Sequence, residues 1–84
     1  MSDEEIKREV TDLLSKLIRI DTTNPPGNET AAAELLYDYL SSEGYEPEIL
    51  EHVDGRGNLL ASLKGDGKTR FMLLSHLDVV PADP

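Results

Sequence analysis

Ile6, Val10, Leu13, Leu14, Leu17 and Ile18 recur at three- and four-residue intervals. That is the period of one helix face. Ser2 and Glu5 stand at the spacing of a capping box, and Asp3, Glu4 and Glu5 fall where a helix N-terminus favours negative charge. The pattern predicts a first helix from about Asp3 to Arg19, its apolar stripe laid on a sheet. Asp21-Thr22-Thr23-Asn24-Pro25-Pro26-Gly27 breaks it, since two prolines and a glycine cannot continue a helix. This stretch reads as a stiff connector that aims the second helix. That helix begins at Asn28 or Glu29, and Asn28 is a good cap residue. Ala32, Leu35, Leu36, Tyr39 and Leu40 form its apolar side, and Gly44 suits the left-handed position past its end. Tyr37, Tyr39 and Tyr45 read as packing residues, because amphipathic rings suit the margin of a core.

Beyond Gly44 the period changes. Three short runs read as strands: Glu46 to Glu51, Asn58 to Leu63 and Arg70 to Ser75. Pro47 marks the first as an edge or a strand start. Asp54-Gly55-Arg56-Gly57 supplies one turn and Lys64-Gly65-Asp66-Gly67-Lys68 the next. The second lacks the spacing of a phosphate-binding loop and reads as a hairpin turn. The expected fold is α/β: two N-terminal helices packed on a three-stranded mixed or antiparallel sheet.

The chain has 84 residues, enough for one small domain. A chain of this size buries only about 60–65 % of its unfolded surface, so its core is thin. Seventeen acidic against 8 basic residues give a net charge of −9. That balance speaks against nucleic acid and anionic membrane as partners, since both call for a basic surface. With no cysteine there is neither a disulfide nor a thiolate metal site. The start, Met1-Ser2-Asp3-Glu4-Glu5, is unlike a signal peptide, and no apolar run approaches a membrane span. A cytoplasmic location is expected. Asn28-Glu29-Thr30 matches a glycosylation sequon, which has no use without secretion.

The remaining chemistry lies in Phe71-Met72-Leu73-Leu74-Ser75-His76-Leu77-Asp78-Val79-Val80-Pro81. Four apolar residues lead to a histidine, and an aspartate follows two positions on. In an extended chain those two side chains share a side, with Cα atoms roughly 6.5 Å apart. A carboxylate can reach an imidazole N–H across that gap. The ring is then fixed with its other nitrogen free for a metal. An ordinary hydrogen bond at a strand end would use the same spacing. His52, beside the Asp54-Gly55 turn, has no neighbours at ligand spacing and reads as a solvated turn residue.

The string Leu73-Leu74-Ser75-His76-Leu77-Asp78-Val79-Val80-Pro81 resembles the first metal motif of a family of dinuclear zinc metallopeptidases and deacylases. These are the aminoacylases, acetylornithine deacetylases, succinyl-diaminopimelate desuccinylases and glutamate carboxypeptidases. Asn24-Pro25-Pro26-Gly27 and Gly57-Asn58-Leu59-Leu60-Ala61 fit the same family upstream. The resemblance implies that residues 1–84 are an N-terminal fragment of a single metallohydrolase catalytic domain. It implies His76 as a metal ligand and Asp78 as the catalytic-site residue that orients it. Two zinc ions, with cobalt or manganese as alternatives, would act on a small N-acyl amino acid or peptide. The family's bridging aspartate, Glu-Glu pair, further carboxylate and distal histidine have no counterpart here. The chain alone is therefore expected to be inactive and not to retain zinc. The contrasting expectation is a non-catalytic α/β module. It would form a homo-oligomer or join a partner that covers its open sheet edge.

Overall fold

A computed structural model of the protein describes residues 1–68 and 71–82. Helix α1 spans Asp3–Ile18 and α2 spans Glu29–Ser42. Strands β1 (Glu48–Leu50) and β2 (Asn58–Leu60) pair antiparallel, with Ile49 opposite Leu59. The α/β class and both helices follow the sequence pattern.

The start of α1 is made as its residues dictate. Ser2 Oγ accepts from the Glu5 amide at 3.2 Å, and its carbonyl accepts from Ile6 at 3.0 Å. Three acidic residues fill the first turn, where the helix dipole favours them. At the end of α2, Gly44 takes φ +91°, the left-handed conformation that glycine adopts without a Cβ penalty. Asn28 departs from expectation. It precedes α2, but its side chain makes no capping hydrogen bond. Instead the Thr30 amide at the helix start donates to the Gly55 carbonyl at 3.1 Å. A turn distant in sequence thus satisfies a group that a local cap would have satisfied.

Helix α2 lies on the two-stranded sheet. Its small face makes that close approach possible. Ala32 and Ala33 are 2 % and 0 % exposed, while Leu35, Leu36, Tyr39 and Leu40 are half-buried around them. Thr30 joins the layers. Its hydroxyl donates to Glu51, the residue after β1, and accepts from the Gly57 amide at 2.7 Å. Pro47, buried, leads directly into β1.

Two expectations fail. The apolar stripe of α1 does not settle on a sheet. No residue of α1 is buried, and Ile6, Val10, Leu14 and Ile18 are all exposed. The sheet face is already taken by α2, and strands of three residues offer too little area for a second helix. Glu9 and the stripe residues Leu13 and Leu17 are half-buried instead, and the Tyr39 hydroxyl of α2 donates to Glu9. That bond pushes the Tyr39 phenol up to about 12. The second failure is the third strand. Arg70 lies outside the described residues, and residues 71 to 75 belong to no strand. Strand β2 stops at Leu60, three residues short of its expected end, so no long edge is offered. Gly67 at φ +78° and a bond from the Lys68 amide to Asp66 turn the chain, but not back onto β2. Phe71, Met72, Leu73 and Leu74 are left 77–90 % exposed.

Gly57 tests the docking of the turn. A Cβ there would stand 2.7 Å from Thr30 Oγ1 and 3.2 Å from Ile49 Cγ2. Gly57→Ala is expected to destabilise the protein by about 1–3 kcal/mol, the usual cost of overpacking a filled site. Chemical denaturation should show the midpoint move without a change in slope.

Candidate metal-ligand site

The elements that position His76 and Asp78 come from both ends of the chain. After α1, residues Thr22 to Asn24 run alongside Leu77 to Val79, with Thr23 and Val79 paired in parallel. Four hydrogen bonds join the segments. Val79 N donates to the Thr22 carbonyl at 3.2 Å, and Asn24 N donates to the Val79 carbonyl at 2.8 Å. Thr22 Oγ1 donates to the Leu77 carbonyl at 2.7 Å. Asn24 Nδ2 donates to Asp78 Oδ2 at 3.1 Å. Thr22 is 5 % exposed, so its hydroxyl needs the partner it has. Asp21 fixes the approach by accepting from the Thr23 amide at 3.0 Å.

His76 and Asp78 meet as their spacing predicts. The Nδ1 of His76 is 3.0 Å from Asp78 Oδ1 and 2.9 Å from the Asp78 carbonyl oxygen. A carbonyl oxygen only accepts, and so does an ionised carboxylate. Nδ1 must therefore carry the proton. In the neutral ring the lone pair is then on Nε2. The His76 side chain is 84 % exposed and that of Asp78 30 %, so Nε2 faces open solvent. The expected support differs in place. Among the described residues, those leading directly into His76 form no strand, and the pairing that holds it begins one residue after it.

Charge around Asp78 is balanced. The hydrogen bond from Asn24 does most to hold its carboxyl below the ordinary range. Partial desolvation opposes this, and His76 adds a further downward pull. Nearby, Glu29 at the start of α2 receives Arg56 Nε on both oxygens, at 2.8 and 2.6 Å. Arg56 holds the Glu29 carboxyl low against desolvation and the repulsion of Asp78. Gly27 leaves room for this pair, since a Cβ there would stand 2.8 Å from Arg56 Nε.

An imidazole with one nitrogen held and the other open is able to serve as a ligand to a divalent metal. The cage is not complete. Among the described residues, no group of three His, Cys, Asp or Glu side chains is gathered to hold a metal. His52 is exposed in the turn after β1. Neither of the two main surface depressions, one along the polar face of α1 and one beside Gly44 and Leu63, includes His76 or Asp78. Thr22 and Asn24 are the participants that spacing did not reveal. Their local signal was a run of hydrogen-bonding side chains, Asp21-Thr22-Thr23-Asn24, set against two rigid prolines.

No protein-family model matches this chain, and no solved structure matches it. Among the described residues, no helix is long and apolar enough to cross a membrane.

Asp78 and Glu29 both bind a proton less readily folded than unfolded. Each therefore adds stability above its ordinary value, 3.8 for Asp78 and 4.5 for Glu29. That stability is lost as pH falls through the lowered folded-state values. Denaturant midpoints measured from pH 7 to pH 2 should drop across this window. Glu29→Gln should start lower at pH 7 and lose less on acidification.

Proposed function

We propose that this chain supplies one metal-ligand histidine, His76, and its orienting carboxylate, Asp78, to a zinc-dependent amide hydrolase. The hydrolase would be of the deacylase, desuccinylase or dipeptidase/carboxypeptidase type. A single observation carries the reading: Nδ1 of an exposed imidazole is held between two oxygens of Asp78 while Nε2 is open. The resemblance around His76-Leu77-Asp78 adds to it, and a cytoplasmic location belongs to the same reading. A divalent cation at such a site would polarise an amide carbonyl and acidify a bound water. The residues of this chain do simpler work. Asp78 fixes the ring, Thr22 and Asn24 fix the backbone on either side of Asp78, and the exposed edge of the imidazole meets the ion.

One imidazole does not keep a hydrolytic site assembled. The chain by itself should bind zinc weakly through His76 and cleave N-acyl amino acids no faster than background. Zinc titration followed by the ring resonances of His76 and His52 checks the first point. A response at His52 alone would reject His76 as the ligand. In a longer polypeptide that carries these residues and hydrolyses amides, Asp78→Ala should lower metal affinity or activity about 10–100-fold. Full activity in that variant would remove the orienting role.

The exposed run Phe71 to Leu74 favours a second reading, in which this segment pairs with another copy or completes a partner's sheet. Sedimentation should then show association that Leu73→Lys abolishes. A compact monomer at high concentration would reject this reading.

A further inference from the structure

Asp78 has two carboxylate oxygens, and they face different partners. Oδ1 faces His76 Nδ1 at 3.0 Å, and Oδ2 accepts from Asn24 Nδ2 at 3.1 Å. A carboxylate held at one oxygen only can swing about its Cβ–Cγ bond. Held at both, it has one orientation. The amide of Asn24 is itself anchored, because its backbone N–H donates to the Val79 carbonyl at 2.8 Å. Backbone and side chain of one residue thus straddle Asp78, gripping the main chain just after it and the carboxylate itself.

We infer that Asn24 is a positioning residue that selects the tautomer of His76 through Asp78. The inference rests on the reading of His76 as a metal ligand and extends it to the loop between the helices. Asn24 touches neither the ring nor any reacting atom. Its amide turns Oδ1 toward Nδ1, so the proton sits on Nδ1 and the Nε2 lone pair is free. An imidazole left to water prefers the opposite arrangement, with the proton on Nε2. That nitrogen would then be unable to bind a cation without first losing the proton. The Asp78 carbonyl remains as a weaker second acceptor at 2.9 Å, so loss of Asn24 shifts the balance rather than inverting it outright.

Nitrogen-15 spectra of the His76 ring, recorded in alkaline buffer, distinguish the two neutral tautomers. In the natural chain the Nδ1–H form should dominate. Asn24→Ala should lower the ratio of Nδ1–H to Nε2–H about two- to tenfold, the factor of one hydrogen bond of ordinary net strength. Asn24→Asp keeps the shape but sets an acceptor against Asp78, so its loss should be at least as large. A role in mere space-filling would leave Asn24→Asp close to the natural chain. The α1 and α2 amide signals report whether each variant is folded. An Nδ1–H ratio unchanged in both variants would overturn the role of Asn24 and leave His76 as the ligand. A dominant Nε2–H form in the natural chain would overturn both. Should the variants not fold, the natural chain still decides. One Asn24 side-chain amide proton slowed in exchange supports the contact, and two exchanging at the free rate refute it.

Discussion

The pairing of Thr22 to Asn24 with Leu77 to Val79 closes the molecule. Thr22 and Leu77 are separated by 55 positions in the chain. Closing a free loop of that length costs about 3.5 kcal/mol plus a constant. Four hydrogen bonds, at about 0.5–1.5 kcal/mol each, give a gain of the same order. The bonds alone therefore do not decide the contact. What tips it is that most of the loop is already ordered when the ends meet. Helix α2 and the β1–β2 hairpin fold on one another. The flexible stretch then runs only from Leu60 to Leu77, a saving of about 1 kcal/mol. The site at His76 exists because α2 and the hairpin bring its two halves near.

That unit depends in turn on the start of α2. Thr30 receives the Gly57 amide, donates its own amide to the Gly55 carbonyl and gives its hydroxyl to Glu51. Glu29 holds Arg56 from the neighbouring position. A turn of the hairpin is thereby fixed to the helix by both charged and neutral bonds. Arg56 is also close enough to feel Asp78, whose charge helps keep the guanidinium protonated. Repulsion between Glu29 and Asp78 is offset by the cation near both. Removing Arg56 would leave the Glu29 carboxylate without its hydrogen-bond partner and still repelled by Asp78.

How legible this was from residues alone depended on distance along the chain. The Ser2 cap, the Gly44 left-handed end and the meeting of His76 with Asp78 each involve neighbours a few positions apart, and each was readable. The two strands were found but drawn too long, because propensity marks a run and packing ends it. Arg70 to Ser75 has the composition of a strand, yet a strand exists only against a partner. Residues 71 to 75 find none among the described residues. The stripe on α1 predicted burial against a sheet that the structure does not show, since periodicity says which face is apolar but not whether a surface is free to meet it. Asn24 was legible as a loop residue and not as a contact of Asp78. No local rule links position 24 to position 78.

These misses share one cause. Phe71 to Leu74 and the Ile6, Val10, Leu14 and Ile18 edge of α1 are exposed apolar surfaces, in a chain whose buried apolar side chains among the described residues are two alanines and Pro47. Alanine burial contributes little area, so the fold leans on hydrogen bonds and the Glu29–Arg56 pair more than on a core. Directional bonds hold geometry well even where apolar burial is small. That explains how an exposed imidazole can be held at two points although Phe71 to Leu74 just before it lie open to solvent. The ordered part of the chain is the part where polar partners converge, and the ring of His76 stands at its edge.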